Sequence, residues 1–301
     1  MVFWWLVLPV SAIASDQEVP ELTIAERYQA FTETQGPDAL PFTVDSGDDS
    51  GTLWASVQTF LVDIPFDLLA QRLSDITQWC EFIPLHLNVK ACSYYLDSTP
   101  PVLSFYIGPK GYSAPDEVQV LDLAFQTLTE DDILTVEFTA PRGPFGSSNY
   151  DFIFRAMEVD GGVYLEFDLS SNPGLVSKLS KVYFLTVGSG KVGFSVMGKD
   201  RTGRVRYVSG ERGGVERNIV RYLYSLQTYF DTINQENEED IFRIRAEHWF
   251  DLTELHERQL YELPRETYLD IKELERVNQN ILLEAIAQGV EPDFDTEKSN
   301  R

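Results

Sequence analysis

The tightest polar constellation in this chain opens an apolar helical pattern: Arg212, Glu216, Arg217, Asn218 and Arg221. Glu216 falls in the first turn, where the positive end of the helix dipole favours a carboxylate. Arg217 and Arg221 are four apart and share a helical face. Like charges at that spacing repel unless an anion lies between them. They could hold the carboxylate or phosphate head of a ligand. They could equally pair with acidic residues on strands, such as Glu137, Glu166 or Asp168.

Other patterns that carry chemistry are incomplete. Residues 188–193, GSGKVG, fit G-x-G-x-x-G, but a dinucleotide site needs a helix to begin there, and residues 194–197 read as strand. The kinase reading of the same run lacks the HRD and DFG motifs. His86, His248 and His256 have no metal-ligand spacing, and His256-Glu257 lacks the second histidine of H-E-x-x-H. They read as helix-surface histidines. G-x-S-x-G is absent. These residues assign no catalytic set, no metal and no cofactor.

Cys80 and Cys92 are the two cysteines. One falls at a helix end and the other in the next strand. They read either as a disulfide closing a short loop or as two small buried apolar residues. The first residues, MVFWWLVLPVSAIAS, place an apolar run at 2–10 before a small-x-small site at 12–14. The run falls short of the roughly 20 residues that span a bilayer. It reads as a signal peptide over 1–14, implying a periplasmic or secreted protein with no integral span afterwards, although no Lys or Arg precedes it. The 48 acidic and 24 basic residues give a net charge of −24. That field opposes nucleic-acid binding and simple docking to anionic lipid.

The elements that position these residues follow from periodicity. Residues 15–50 are polar and turn-rich, and SGDDSG at 46–51 reads as a linker or surface loop. A strand over 53–64 is followed by a helical pattern through Phe66, Leu69, Leu73, Ile76 and Trp79. Strands are then expected over 87–96, 102–107, 117–127, 133–139, 150–158 and 163–169, separated by turn residues. Leu134, Val136 and Phe138 alternate with polar residues, as do Leu165, Phe167 and Leu169; this is the signature of an antiparallel sheet with one buried face. Residues 175–186 fit a helical turn or a strand, and 192–197 and 204–208 resume strand character. Val215, Ile219, Tyr222, Leu223, Leu226, Tyr229, Phe230 and Ile233 then form one wide apolar stripe on a long helix. After Asn234 two amphipathic helices follow up to 291, and 292–301 reads as a disordered tail.

This order resembles the START / polyketide-cyclase-like (SRPBCC, helix-grip) superfamily over residues 51–234. The likeness is carried by VDIPFDLLAQRLSDITQWCEFIP at 62–84, YDFIFRAMEVDGGVYLEFDLSSNP at 150–173 and the helix from Gly210. The resemblance implies an α+β fold, a seven-stranded antiparallel sheet curved around the C-terminal helix, with an apolar cavity between. It implies a lipid, sterol, isoprenoid or polyketide as ligand, and for some members cyclase chemistry. The helical extension over 235–291 lies outside it.

Three readings come from this. The first is a non-enzymatic binder of an apolar small molecule or lipid. Its cavity wall is expected from Phe105, Leu134, Val136, Phe138, Phe152, Phe154, Leu165, Phe167, Phe194, Tyr222, Leu226 and Phe230, with Arg217 and Arg221 for a polar head. The same apolar residues could instead be packed core. The second is a cyclase- or hydratase-like enzyme using that cavity. The third is an interaction module that docks a protein partner through the C-terminal helices.

Overall fold

The computed structural model describes residues 22–37, 39–174, 191–236 and 238–294. The signal-peptide expectation, residues 175–186 and the first three residues of the glycine pattern lie outside them.

Eight antiparallel strands form one sheet: β1 Phe42–Asp49, β2 Thr52–Val62, β3 Val89–Tyr95, β4 Val102–Ile107, β5 Gln119–Glu130, β6 Ile133–Arg142, β7 Ser148–Val159 and β8 Gly162–Asn172. The order is β1-β2-β8-β7-β6-β5-β4-β3. Alternation decides which face is buried. In β2, Ala55, Val57 and Leu61 are buried; in β6, Leu134, Val136 and Phe138; in β8, Leu165, Phe167 and Leu169. Register stacks them across strands, with Val136 opposite Phe154 and Phe154 opposite Phe167. Helix α4, Gly210–Asp231, lies in this concave face and packs chiefly on β2. The other described helices are α1 Ile24–Thr34, α2 Phe66–Ser74, α3 Ile76–Trp79, α5 Ile241–Glu254, α6 Glu257–Leu260 and α7 Arg265–Gln288. A separate hairpin, β9 Val196–Lys199 with β10 Val205–Tyr207, precedes α4. The architecture is the expected α+β helix grip.

The described part of the stretch read as polar and turn-rich carries a helix and a strand, and it adds an eighth strand to the seven anticipated. Thr23 caps α1 with a reciprocal box to Glu26. Residues 46–51 are the end of β1 and its turn into β2, where Ser50 and Gly51 both take positive φ, as a tight hairpin requires. Gly47 is obligatory by contact: a Cβ there would meet the Trp54 ring at 2.6 Å. The acidic residues that make this stretch read as a loop sit on a sheet edge, where charge is tolerated.

The tail is equally part of the domain. Helix α7 lies along β3, and α5 packs between α4 and α7. Trp249 of α5 stacks on Tyr268 of α7 at 5.0 Å and donates to the Arg221 carbonyl at 3.1 Å. The tail's apolar faces, which fit this domain or another chain as their cover, are largely spent on the chain's own domain. Phe294, in the stretch read as disordered, is buried with Leu282, Ala91 and Ala114.

Cys80 and Cys92 are disulfide-bonded across a sequence separation of 12. Closing a loop of about that length removes roughly 3 kcal/mol of unfolded-state entropy. A Cys80→Ser, Cys92→Ser protein is expected to lose about that much stability in a urea titration. A midpoint equal to that of the wild type would show that the bridge contributes nothing.

Candidate functional site

The space between sheet and helix is divided by an aromatic layer. Trp79, at the end of α3, meets Phe138 edge-on at 4.6 Å and Phe154 at 4.9 Å. Phe82 lies against Trp79 and against Tyr229 of α4, both at 5.2 Å. These rings fill the half of the grip near the C-terminal end of α4. Near its N-terminal end a cavity of about 210 Å³ is left. Its wall comes from the start of β2 (Leu53), the β6–β7 turn (Pro144, Phe145, Ser147), the end of β8 (Leu169, Ser171, Pro173) and α4 (Val215, Asn218, Tyr222), with Ile107, Leu121, Tyr150 and Phe152 behind them. The lining is mostly apolar.

One imidazole stands out in it. His86 follows the single turn Ile83–Leu85, is 1% exposed, and lines the cavity beside Asn88. Its ring stacks on Tyr222 with centroids 4.4 Å apart and planes 17° from parallel. The Asn88 backbone N–H donates to His86 Nδ1 at 3.1 Å. His86 Nε2 is buried and has no hydrogen-bond partner among the described residues. Burial pulls the imidazole well below its ordinary pKa, and the charges of Arg221, Lys272, Lys90 and Lys110 add to that. The ring is thus neutral at physiological pH. Because Nδ1 accepts, the proton of the neutral tautomer is assigned to Nε2. The wall of the cavity thus contains a desolvated N–H donor with no partner among the described residues.

The loop that carries His86 is fixed from the tail. Lys272 Nζ donates to the carbonyls of His86 and Val89 at 2.9 and 3.0 Å. Tyr268 donates to the Leu85 carbonyl at 2.9 Å, and Lys90 to that of Leu87 at 2.7 Å. Both ammonium groups share Glu275, Lys90 at 2.8 Å and Lys272 at 2.7 Å, and all three side chains are at most 1% exposed. On the other wall, the Tyr150 hydroxyl lies 2.8 Å from Ser147 Oγ. Burial raises the Tyr150 and Tyr222 phenols, so both stay protonated.

Of the residues expected to line the cavity, only Phe152 and Tyr222 do. Phe105, Leu134, Val136, Phe138, Phe154, Leu165, Phe167, Leu226 and Phe230 are buried in the packed core, with Phe154 stacked on Phe167 at 4.0 Å. Phe194 is in an aromatic box with Phe42 and His256. Leu226→Trp is consequently expected to act as overpacking, costing about 1–3 kcal/mol in a denaturant titration. An unchanged midpoint would mean that unfilled space reaches Leu226.

Arg217 and Arg221 do not line the cavity. Arg217 donates to the Gly213 carbonyl at 3.0 Å. Arg221 pairs with Glu262 at 2.9 Å, and Lys110 joins the same carboxylate at 2.5 Å. Burial lowers the Arg221 guanidinium to about 10, which keeps it charged at neutral pH. The strand acids considered as partners point away. Glu166 and Asp168 alternate with Leu165 and Phe167, so they occupy the outer face, where they pair with Arg27 and Arg155, each at 2.7 Å. Sequence reading missed His86. The available signal was its position in FIPLHLN, a histidine flanked by leucines just before a strand.

No family model matches the sequence, and no curated protein does. Among solved structures, a STAR-related lipid transfer protein fragment from Xanthomonas axonopodis is 14% identical, covering 49% of this chain and 88% of its own, with a TM-score of 0.37. An aromatase/cyclase from a Streptomyces species is 13% identical, covering 64% and 94%, with a TM-score of 0.34. A major latex-like protein from Panax ginseng is 11% identical, covering 43% and 84%, with a TM-score of 0.31. The fold is a helix grip. That assignment rests on the strand order and the seating of α4, not on these low scores.

Proposed function

We propose that this protein binds an apolar small molecule, or the apolar end of a lipid, that carries one hydrogen-bond acceptor. The observation behind this reading is a mostly apolar cavity whose wall includes His86, a residue with an unpaired, buried Nε2 that a small rotation of the ring would present to a ligand. Leaving a buried donor without a partner costs about 1–3 kcal/mol. An acceptor oxygen on the ligand recovers that cost, while Leu53, Phe152, Leu169 and Val215 take the apolar body. An engineered apolar cavity of about 150 Å³ admits benzene. About 210 Å³ therefore suits a substituted ring or the end of a larger molecule.

The same groups make a weak acid–base set. His86 is held neutral, with the nitrogen that could accept a proton already engaged, and the two phenols are held protonated. General-base chemistry needs a group poised near the working pH. This favours binding over the cyclase- or hydratase-like alternative. Mass spectrometry of solvent extracts from natively purified protein tests the reading. An apolar molecule with a carbonyl, hydroxyl or ether oxygen is expected at near-stoichiometric yield; a highly polar or multiply charged ligand would overturn it.

We also propose that the protein works in an oxidising compartment, periplasmic or extracellular. The Cys80–Cys92 bridge supports this, since such bonds persist mainly outside the reducing cytosol. Amino-terminal sequencing of protein from its native host tests it, with a mature start near Ser15 expected.

A further inference from the structure

The hairpin β9–β10 departs from the rest of the molecule in both charge and exposure. Every residue over 196–206 is exposed. The run reads VMGKDRTGRVR, with Lys199, Arg201, Arg204 and Arg206 against Asp200, in a chain of net charge −24. Asp200 is engaged within the turn: its carboxylate accepts from the Thr202 and Arg204 amides at 2.7 and 3.0 Å. Its carbonyl accepts from Gly203 at 3.0 Å, so the turn is preorganised. Among these cations stand bare apolar side chains, Val196 at 62% exposure and Met197 at 54%. Register places Val205 opposite Lys199, so Met197, Lys199 and Val205 share one face. The hairpin runs into α4, whose first turns line the cavity, and so it stands at the cavity's end of the grip.

We propose that this hairpin docks the protein on an anionic lipid surface, with Met197 and Val205 entering the interface and the basic residues of the hairpin meeting lipid headgroups. Charge complementarity selects this occupant. The overall negative charge opposes approach from a distance, but at physiological salt charges are screened beyond about 8 Å, so the local cations decide the contact. Apolar tips flanked by basic residues suit the boundary between headgroups and acyl chains. A stable protein partner takes about 800 Å² per side. Strands of four and three residues on a protruding hairpin are small for that.

Vesicle flotation of the full chain tests the proposal. Phosphatidylcholine vesicles are compared with phosphatidylcholine–phosphatidylglycerol vesicles at low and high salt. Binding to the anionic vesicles alone, weakened by salt, is expected. Each basic residue near such a surface contributes about fivefold in affinity. The triple variant Lys199→Gln, Arg201→Gln, Arg204→Gln should then lose roughly 100-fold. Met197→Ser should weaken binding with the charges intact. Because these side chains are exposed, melting temperatures should match the wild type. If the triple variant melts early, Lys199→Gln alone carries the comparison. Wild-type protein that ignores anionic vesicles, or variants that bind as the wild type does, would overturn the proposal. Hairpin-dependent capture of poly-glutamate without vesicle binding would also overturn it, and would assign the patch to an acidic protein.

Discussion

A chain ended after Asn234 is expected to lose cooperative unfolding. The sheet and α4 are complete by that residue, yet the groups that satisfy the segment after α3 come from beyond it. Lys272, Tyr268 and Gln279 cap the carbonyls of His86, Val89, Leu85 and Cys80, and Gln279 also accepts from the Cys92 amide at 3.0 Å. Truncation exchanges these partners for water. It also removes the carboxylate that pairs with Lys90, and strips the cover from Leu85, Leu87 and Val89. Each hydrogen bond exchanged for water costs about 0.5–1.5 kcal/mol and each large apolar side chain re-exposed about 1.5–3 kcal/mol, and several are lost at once against a total stability of about 5–15 kcal/mol. Circular dichroism melting of the 22–234 fragment checks this. A sharp transition near the full-length temperature would show that the tail is an accessory.

The second large effect is expected at Glu275. Two ammonium groups and one carboxylate share a site that water does not reach. Removing the carboxylate leaves uncompensated buried charge, which typically costs about 3–5 kcal/mol. Glu275→Gln should cost that much in a urea titration at neutral pH. Burial already lowers Lys272 to about 8, with Glu275 opposing and Lys90 reinforcing the fall. The unfolded lysine keeps its proton up to its ordinary value of about 10.4. Between those values the unfolded chain binds more protons than the folded one, so stability should rise as pH increases through about 8. In Glu275→Gln both lysines lose their counter-charge, and the rise should steepen. Urea midpoints at neutral pH and at about pH 9.5 decide it; a wild-type midpoint that falls over that interval would contradict the assignment.

The sheet and helix were legible because period-2 alternation and a helical stripe are local signals. Leu134, Val136 and Phe138 announce a face whatever packs on it. β1 was not legible, because an edge strand tolerates Asp45, Asp48 and Asp49 and needs Gly47 only for the Trp54 ring. The tail's apolar stripes were legible, but their destination was not: a stripe says that something is covered, not what. The cavity was the least legible feature. Which aromatic faces empty space depends on where Trp79 and Phe82 come to rest, and they fill the half of the grip under Tyr229. The donor in the remaining half comes from a histidine with no motif around it. Its neutral state and free Nε2 are set by Asn88, Tyr222 and the lysines of β3 and α7, which only the fold assembles.

The central claim is that the cavity takes an apolar body and His86 Nε2 takes its oxygen. The direct measurement is calorimetric titration with acetophenone and with α-methylstyrene, which has nearly the same shape but a CH₂ in place of the carbonyl oxygen, on wild-type protein and on His86→Phe. Wild type should favour acetophenone by about fivefold or more, the worth of one buried hydrogen bond. His86→Phe should bind the two equally if it remains folded by circular dichroism, and Asn218→Leu should retain the preference. Equal affinity of the wild type for both compounds, or no binding of either, would contradict the account.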